Sequence, residues 1–202
     1  MHLDLKTFLV TGEFGSITFG MTRQALADVL GKPDKWGRQS DPAKAEIWCY
    51  GSLEFYFPKH SDGLYMIYSD WLDPLKGSQN LTLDPWVLSG QLRLQEAEAT
   101  FTQEGIVYKR IDQPQLDAVD LVMESRVVVR FDFDEEAEEY RLGGFWLKTS
   151  QPEFQRHPTR QVSVTLPLHI YEKLRRESLV RRKSITRLCS EWLINFASQI
   201  DG

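Results

Sequence analysis

The hydrophobic pattern changes its period within residues 160–202, near the end of the chain. Over residues 161–166, apolar side chains alternate with polar ones, which is typical of a half-buried strand. Pro167 ends this strand and suits the first turn of a helix, because proline has no N–H and a fixed φ. Helical spacing follows, and it resumes after Ser184, a good N-cap, as far as Phe196. The pattern therefore predicts a strand, a helix, a turn and a second helix.

The apolar positions of these three elements are expected to face one common core. They are Val162, Val164, Leu166, Ile170, Leu174, Ile185, Leu188 and Trp192. A unit of this size cannot bury a full core by itself. The sequence therefore predicts an obligate homodimer in which two copies of the unit share that core.

A basic turn, Arg181–Lys183, precedes Ser184. Together with the strand, the Leu-Pro junction and the Ser184 cap, in this order and spacing, it resembles a ribbon-helix-helix domain of the Arc and MetJ repressor type. In that family two chains pair their strands into a ribbon that lies in the DNA major groove. The resemblance implies that Gln161, Ser163 and Thr165 face the base edges. It also implies backbone contacts from the basic turn and the start of the second helix. These backbone contacts would come from Arg181, Arg182, Lys183 and Ser184.

The end of the chain, which carries the strand and helix pattern, also differs in charge from the residues that precede it. Residues 156–202 hold nine Lys and Arg against four Asp and Glu, a net charge of +5. Residues 1–155 hold fifteen against twenty-five, a net charge of −10. An acidic body repels phosphate, so we expect it to lie away from DNA while the basic tail makes the contacts. The alternative is that both are solvated surfaces.

The first 149 residues predict an α+β body with an approximate internal repeat. Each half begins with a helix, the first with Thr22 as N-cap. Strands rich in aromatic and β-branched residues follow each helix. The expected helices are Thr22–Leu30 and Leu94–Gln103, and the expected strands are Glu46–Tyr50, Leu53–Phe57, Leu64–Ser69, Ala118–Met123, Arg126–Phe133 and Tyr140–Leu147. Residues 150–159, which contain two prolines, predict a linker to the ribbon-helix-helix domain at 160–202.

The segment Gly15–Arg23, with Leu30–Pro33 downstream, is similar to the start of the tandem-repeat fold of β-lactamase inhibitory proteins and outer-membrane assembly lipoproteins. The resemblance implies a concave sheet that binds another protein, and immunity proteins of bacterial toxin systems share this general plan. Aromatic residues are dense enough for such a surface, although most are expected in the core. They are Trp48, Tyr50, Phe55, Tyr56, Phe57, Tyr65, Tyr68 and Trp71.

Candidate catalytic and metal-binding chemistry is sparse. The four histidines lie far apart without metal-ligand spacing, and Cys49 and Cys189 lie in apolar surroundings that favour buried free thiols. The acidic run at residues 132–139 lacks the glycine and ligand spacing of a calcium loop, so a solvated hairpin loop is expected. Weak calcium binding and mimicry of DNA charge are the alternatives. The sequence predicts no enzyme activity and no cofactor.

Composition predicts a soluble protein without a membrane span, because no apolar run approaches the roughly 18 residues that a membrane helix needs. An acidic residue interrupts the amino-terminal segment, which therefore does not indicate a secretion signal, and the expected compartment is the cytoplasm.

Two hypotheses follow from the sequence. The first is a homodimeric DNA-binding regulator, antitoxin-like or an autoregulatory repressor, whose body holds a protein or a ligand. The second is a protein-binding immunity or inhibitor-type protein that uses the ribbon-helix-helix tail only to dimerise. The expected partners are a second copy of the chain and double-stranded DNA, with a further protein at the body.

Overall fold

The computed structural model describes residues 1–37, 39, 41–59 and 61–149, together with Ile170 and Lys173. The chain divides into two units, Met1–Pro152 and Glu153–Gly202. In the second unit the two described residues are both helical. The first unit mixes helices with an antiparallel sheet and therefore belongs to the α+β class.

The described elements follow one another in an order that is nearly repeated. They are β1 (His2–Asp4), α1 (Leu5–Thr11), α2 (Arg23–Leu30), β2 (Lys35–Trp36), a 3₁₀ turn (Pro42–Lys44), β3 (Ile47–Tyr50), β4 (Leu53–Tyr56), β5 (Met66–Ser69), β6 (Thr82–Asp84), α3 (Leu94–Gln103), β7 (Tyr108–Gln113), β8 (Ala118–Met123), β9 (Val128–Asp134) and β10 (Glu139–Lys148). Helix α2 precedes four strands, β2 to β5, and helix α3 precedes four more, β7 to β10.

Two antiparallel meanders join into one eight-stranded sheet. The strand order is β2-β3-β4-β5-β10-β9-β8-β7, so the last strand of each meander lies at the centre. Strands β5 and β10 pair antiparallel, with Tyr68 opposite Trp146 and Ser69 opposite Phe145. A separate two-stranded parallel pair connects β1 with β6. The expectation of a helix followed by a meander, twice, agrees with this arrangement of the first unit.

Local sequence signals account for the helix ends. The Thr22 side chain accepts a hydrogen bond from the backbone N–H of Ala25 at 3.2 Å, which confirms its role as the N-cap of α2. Gly31 ends the helix with a φ of 80°, a conformation that favours glycine. Helix α3 spans the predicted residues and is followed by Gly105, whose φ is 67°. Capping residues therefore located both ends of α2, whereas only the end of α3 carries such a signal.

The core lies on one face of the large sheet, where alternate strand residues are buried. Aromatic rings pack edge to face at its centre: Phe14 lies 5.2 Å from Phe8 and 5.8 Å from Phe55, measured between ring centroids. Phe8 also contacts Phe145 of the second meander at 6.2 Å, and Phe14 links Phe8 to Phe55 of the first meander. Edge-to-face contact adds to the stabilisation from area burial. The two halves of the sheet thus share one core.

Some elements differ from the sequence-based expectation. Strands β1, β2, β6 and β7 and the short helix α1 were not predicted. Strand β7 carries Lys109, Arg110 and Asp112 at the sheet edge, and this polarity hides the apolar alternation. The strand expected from Arg126 starts instead at Val128, because Arg126 has a φ of 71° and lies in the turn after β8. The first two strand predictions in the amino-terminal half are correct to within one residue at each end, whereas the strand expected from Leu64 starts two residues later, at Met66.

None of the helices in the described part of the chain has the length and the apolar content needed to cross a membrane.

Replacing Phe55 with alanine is expected to destabilise the first unit strongly. The ring is fully buried between Phe14 and Tyr50, so truncation removes its transfer free energy and leaves a cavity. We expect the free energy of unfolding in urea to fall by about 3–5 kcal/mol. Leu116→Ala is the control, because this leucine is 59% exposed, and the change should stay within about 0.5 kcal/mol. Equal effects of the two substitutions would contradict the assigned core.

Candidate functional site

The residues to which the sequence assigns DNA contacts lie outside the described residues, and so do most residues of the proposed dimer core. Those outside are Gln161, Ser163, Thr165, Arg181, Arg182, Lys183, Ser184, Val162, Val164, Leu166, Leu174, Ile185, Leu188 and Trp192. Ile170 is helical and half-buried, in a segment where a helix is predicted. The roles of all these residues stay predictions.

The large sheet has a second face that does not carry the core. Strands β4, β5, β9 and β10 alternate buried residues with residues that are half-buried or exposed. We call this second surface the open face. At its centre it carries Glu54, Tyr56, Met66, Tyr68, Arg130, Asp132, Trp146 and Lys148.

A depression of about 400 Å³ lies at the centre of the open face. We call it the central depression. It is lined by Tyr56, Met66, Tyr68, Arg130, Asp132, Gly143, Gly144, Trp146 and Lys148, which come from both meanders. The pairing of β5 with β10 therefore assembles it, since neither half contains the full set.

Two consecutive glycines form the floor of the central depression. Gly143 and Gly144 lie where the register between β9 and β10 shifts, which is a bulge. A Cβ atom on Gly144 would lie 2.7 Å from the carbonyl oxygen of Ser69, and one on Gly143 would collide with the Asp132 carboxylate. Side chains are thus excluded from the floor, and Asp132 folds across it.

An ion pair fixes the side of the depression formed by β9. Arg130 donates from Nε and Nη2 to the two carboxylate oxygens of Asp120 at 2.8 and 2.9 Å. Gln113 donates to the same carboxylate at 3.1 Å. The Arg130 guanidinium carbon lies 5.0 Å from the ring centroid of Trp146, within cation–π range. Asp120 therefore matches the charge of Arg130 and holds its guanidinium against Trp146.

Three aromatic rings, those of Tyr56, Tyr68 and Trp146, line the rest of the central depression. The ring centroids of Tyr56 and Tyr68 are 6.2 Å apart with perpendicular planes, and those of Tyr68 and Trp146 are 6.3 Å apart. The Tyr56 hydroxyl donates to the Glu54 carboxylate at 2.5 Å. These contacts orient the rings without covering them, since all three remain half-buried.

Carboxylates surround Tyr68. Burial raises the pKa of Tyr68 to about 12, with further contributions from Asp70, Glu54 and Asp132. Asp132 is exposed as a residue, yet desolvation of its carboxyl raises its pKa, against the opposing effect of Arg130. The pKa of Glu54 is raised for the same reason, although its hydrogen bond from Tyr56 opposes the shift. The ionised carboxylates are therefore disfavoured by their surroundings and would gain from a cation.

The thiol of Cys49 and the acidic run at residues 132–139 give little indication of a catalytic or metal site. Cys49 is a free, half-buried thiol, as predicted, although less buried than expected, and burial together with Glu54 raises its pKa to about 11. It is therefore a poor nucleophile at neutral pH. Within the described ranges no cluster of His, Cys, Asp or Glu could hold a metal ion. The acidic run ends β9 and forms the predicted hairpin turn, in which Asp134 accepts hydrogen bonds from the N–H groups of Glu136 and Ala137.

A wider cavity of about 790 Å³ lies beside α2. Its Arg23 is only 8% exposed and pairs with Asp62 at 2.5 Å. Arg23 also donates twice to the Ala45 carbonyl and lies 4.3 Å from the ring centroid of Phe57. These contacts hold α2 to the strands and leave Arg23 little capacity for a ligand.

Sequence reasoning identified part of the central depression. Of the eight aromatic residues that it singled out, Trp48, Tyr50, Phe55 and Phe57 are buried, and Tyr56 and Tyr68 line the depression. The contributions of the second half, above all Arg130 and Trp146, were missed. Period-two alternation along β9 and β10 was the available signal, but only the pairing of β5 with β10 shows that these residues meet.

No protein-family model matches this chain, and neither a curated protein nor a solved structure matches it.

Asp132→Asn is expected to stabilise the protein at neutral pH. A carboxyl whose pKa is higher in the folded state than in the unfolded state contributes stability at low pH and loses it as pH rises through the folded pKa. The asparagine variant should therefore have the higher free energy of unfolding at pH 7.5, and its advantage should shrink towards pH 4.5. Urea unfolding at both values measures this, with Glu124→Gln as the control of equal charge change. A variant that is equally destabilised at both pH values would contradict the proposed desolvation.

Proposed function

We propose that the chain is a homodimeric DNA-binding regulator, an antitoxin-like or autoregulatory repressor, whose body binds a partner protein. The DNA-binding part of the proposal is carried by the tail at residues 160–202, in which strand alternation, the Leu-Pro junction, the basic turn and the Ser184 cap occur in the order of a ribbon-helix-helix unit. The agreement of four signals in order and spacing is stronger support than any one of them.

In this proposal the tail uses two kinds of contact. Gln161, Ser163 and Thr165 present amide and hydroxyl groups to the base edges, so they determine sequence preference. Arg181, Arg182, Lys183 and Ser184 hold phosphates, so they contribute affinity and register. Residues 156–202 carry a net charge of +5 and residues 1–155 carry −10, so DNA would approach the tail.

The body would bind protein through its open face. This face presents Tyr56, Tyr68, Trp146 and Arg130, the residue types that are enriched where protein interfaces concentrate their binding energy. Trp71, at the end of β5, is 65% exposed, and Lys35 lies 5.9 Å from the centroid of its ring. The rings and the arginine of the open face, rather than this single exposed ring, carry the protein-binding part of the proposal.

The open face also favours the second candidate function. A protein-binding immunity or inhibitor-type protein needs only that face, and its tail would serve as a dimerisation unit. Both candidates predict a homodimer, so substitution of Val164 or Trp192 in the proposed dimer core would not distinguish the two functions. The two differ in whether the tail binds DNA.

Binding of the full-length protein to DNA from directly upstream of its coding region distinguishes the two candidates. We expect preference for this duplex over a scrambled one, measured by fluorescence anisotropy across a salt series. Alanine at Gln161, Ser163 and Thr165 should reduce the preference by at least roughly tenfold, since each good base contact contributes about 1–3 kcal/mol of discrimination. Alanine at Arg181, Arg182 and Lys183 should weaken binding to both duplexes and lower the salt slope by about 0.9 for each phosphate that is no longer neutralised.

The matched control replaces three exposed lysines of the body with alanine, namely Lys32, Lys59 and Lys76. This triple variant changes the net charge equally and should retain the salt slope of the wild type. Absence of binding to either duplex at low salt would overturn the regulator proposal and leave the protein-binding alternative.

A further inference from the structure

We propose that the central depression binds a lysine or arginine side chain presented by a basic surface of the partner protein. The inference rests on the protein-binding part of the proposed function and is independent of DNA binding by the tail. It names the chemical group that the open face selects.

The shape of the central depression suits one long side chain. Its floor is the glycine pair Gly143–Gly144 with the Asp132 carboxylate across it, and its sides are the rings of Tyr68 and Trp146 and the guanidinium of Arg130. A volume of about 400 Å³ lies near the lower end of ligand pockets. An aliphatic stem could lie against the rings while its charged end reaches the Asp132 carboxylate, which is how lysine and arginine commonly pack.

The charges favour a cation. Asp132 lines the depression, and the carboxylates of Asp70 and Glu54 act on Tyr68 from outside the lining. Among the described residues, Asp132 makes no salt bridge and its carboxylate accepts no hydrogen bond, so its oxygens are available to a ligand although Arg130 attracts their charge. An ammonium or guanidinium group placed here would also meet the faces of aromatic rings, which attract cations.

Arg130 does not make the depression an anion site. Its Nε and Nη2 atoms already donate to Asp120, so its charge is matched and only part of its donor capacity remains. Lys148 is the other cation in the lining, and it lies opposite Met66, the next residue pair along this face after Tyr68 and Trp146. Lys148 should therefore weaken the binding of a second cation, and removing its charge should strengthen that binding.

The test compares two fluorescein-labelled nonapeptides with the full-length protein at about 150 mM salt. One has three arginines separated by glycine and serine, and the other has glutamate in their place. We expect anisotropy to show binding of the arginine peptide only. Asp132→Asn should weaken it by roughly fivefold, and Tyr68→Leu by roughly tenfold because the leucine side chain offers no cation–π attraction. Lys148→Gln should tighten it by roughly twofold.

Matched controls separate the depression from the general acidity of the body. Glu124→Gln makes the same charge change as Asp132→Asn outside the depression, and Lys32→Gln matches Lys148→Gln. Both controls should bind as the wild type does. Because Asp132→Asn is expected to be at least as stable as the wild type, its weaker binding would not reflect misfolding, and urea unfolding of each variant verifies this.

Three results would overturn the inference. They are equal binding by the wild type and Asp132→Asn, preference for the glutamate peptide with dependence on Lys148, and no binding of either peptide at millimolar concentration. None of them bears on DNA binding by the tail. The second would leave a protein-binding open face with the opposite charge preference, so failure of this inference is distinguishable from failure of the proposed function.

Discussion

The antiparallel pairing of β5 with β10 is the contact on which the first unit depends. Each meander taken alone would expose this strand as an unpaired edge, which is a site of unwanted association. Pairing closes both edges and places Ser69 opposite Phe145 at the core. Phe8 and Phe14 then connect Phe145 with Phe55, a ring of the first half. The same register places Tyr68 opposite Trp146 on the other face. One set of backbone hydrogen bonds thus positions the core and the central depression together.

The two faces of the sheet differ in what they contribute. The core face gathers buried aliphatic and aromatic side chains and supplies stability. The open face retains carboxylates at Asp132 and Glu54 whose pKa values are raised by burial, so their ionised forms oppose folding at neutral pH. Groups that are kept at a cost to stability often serve binding or catalysis. A cationic side chain bound in the central depression would stabilise the ionised carboxylates, so the protein would favour a partner that presents one.

Local sequence patterns were enough for elements with clear periodicity and caps. Thr22 and Gly31 delimited α2, and alternation located β3, β4 and β8. Edge strand β7 was missed because charged residues mask its alternation. The central depression could not be predicted, since the meeting of Tyr68 with Trp146 depends on register between distant strands, and period-two patterns do not encode which strands pair. The tail lies almost wholly outside the described residues, so its interpretation still rests on pattern and resemblance.

The most direct test of a binding surface at the β5–β10 junction is a titration of the arginine nonapeptide into ¹⁵N-labelled full-length protein, observed at the indole N–H resonances of its six tryptophans. Single substitutions assign the signals of Trp146, which lines the central depression, and Trp48, which is buried on the core face. We expect the Trp146 resonance to shift progressively and saturate while that of Trp48 stays in place. A stationary Trp146 resonance, with changes elsewhere or nowhere, would contradict the assignment of the open face as the binding surface.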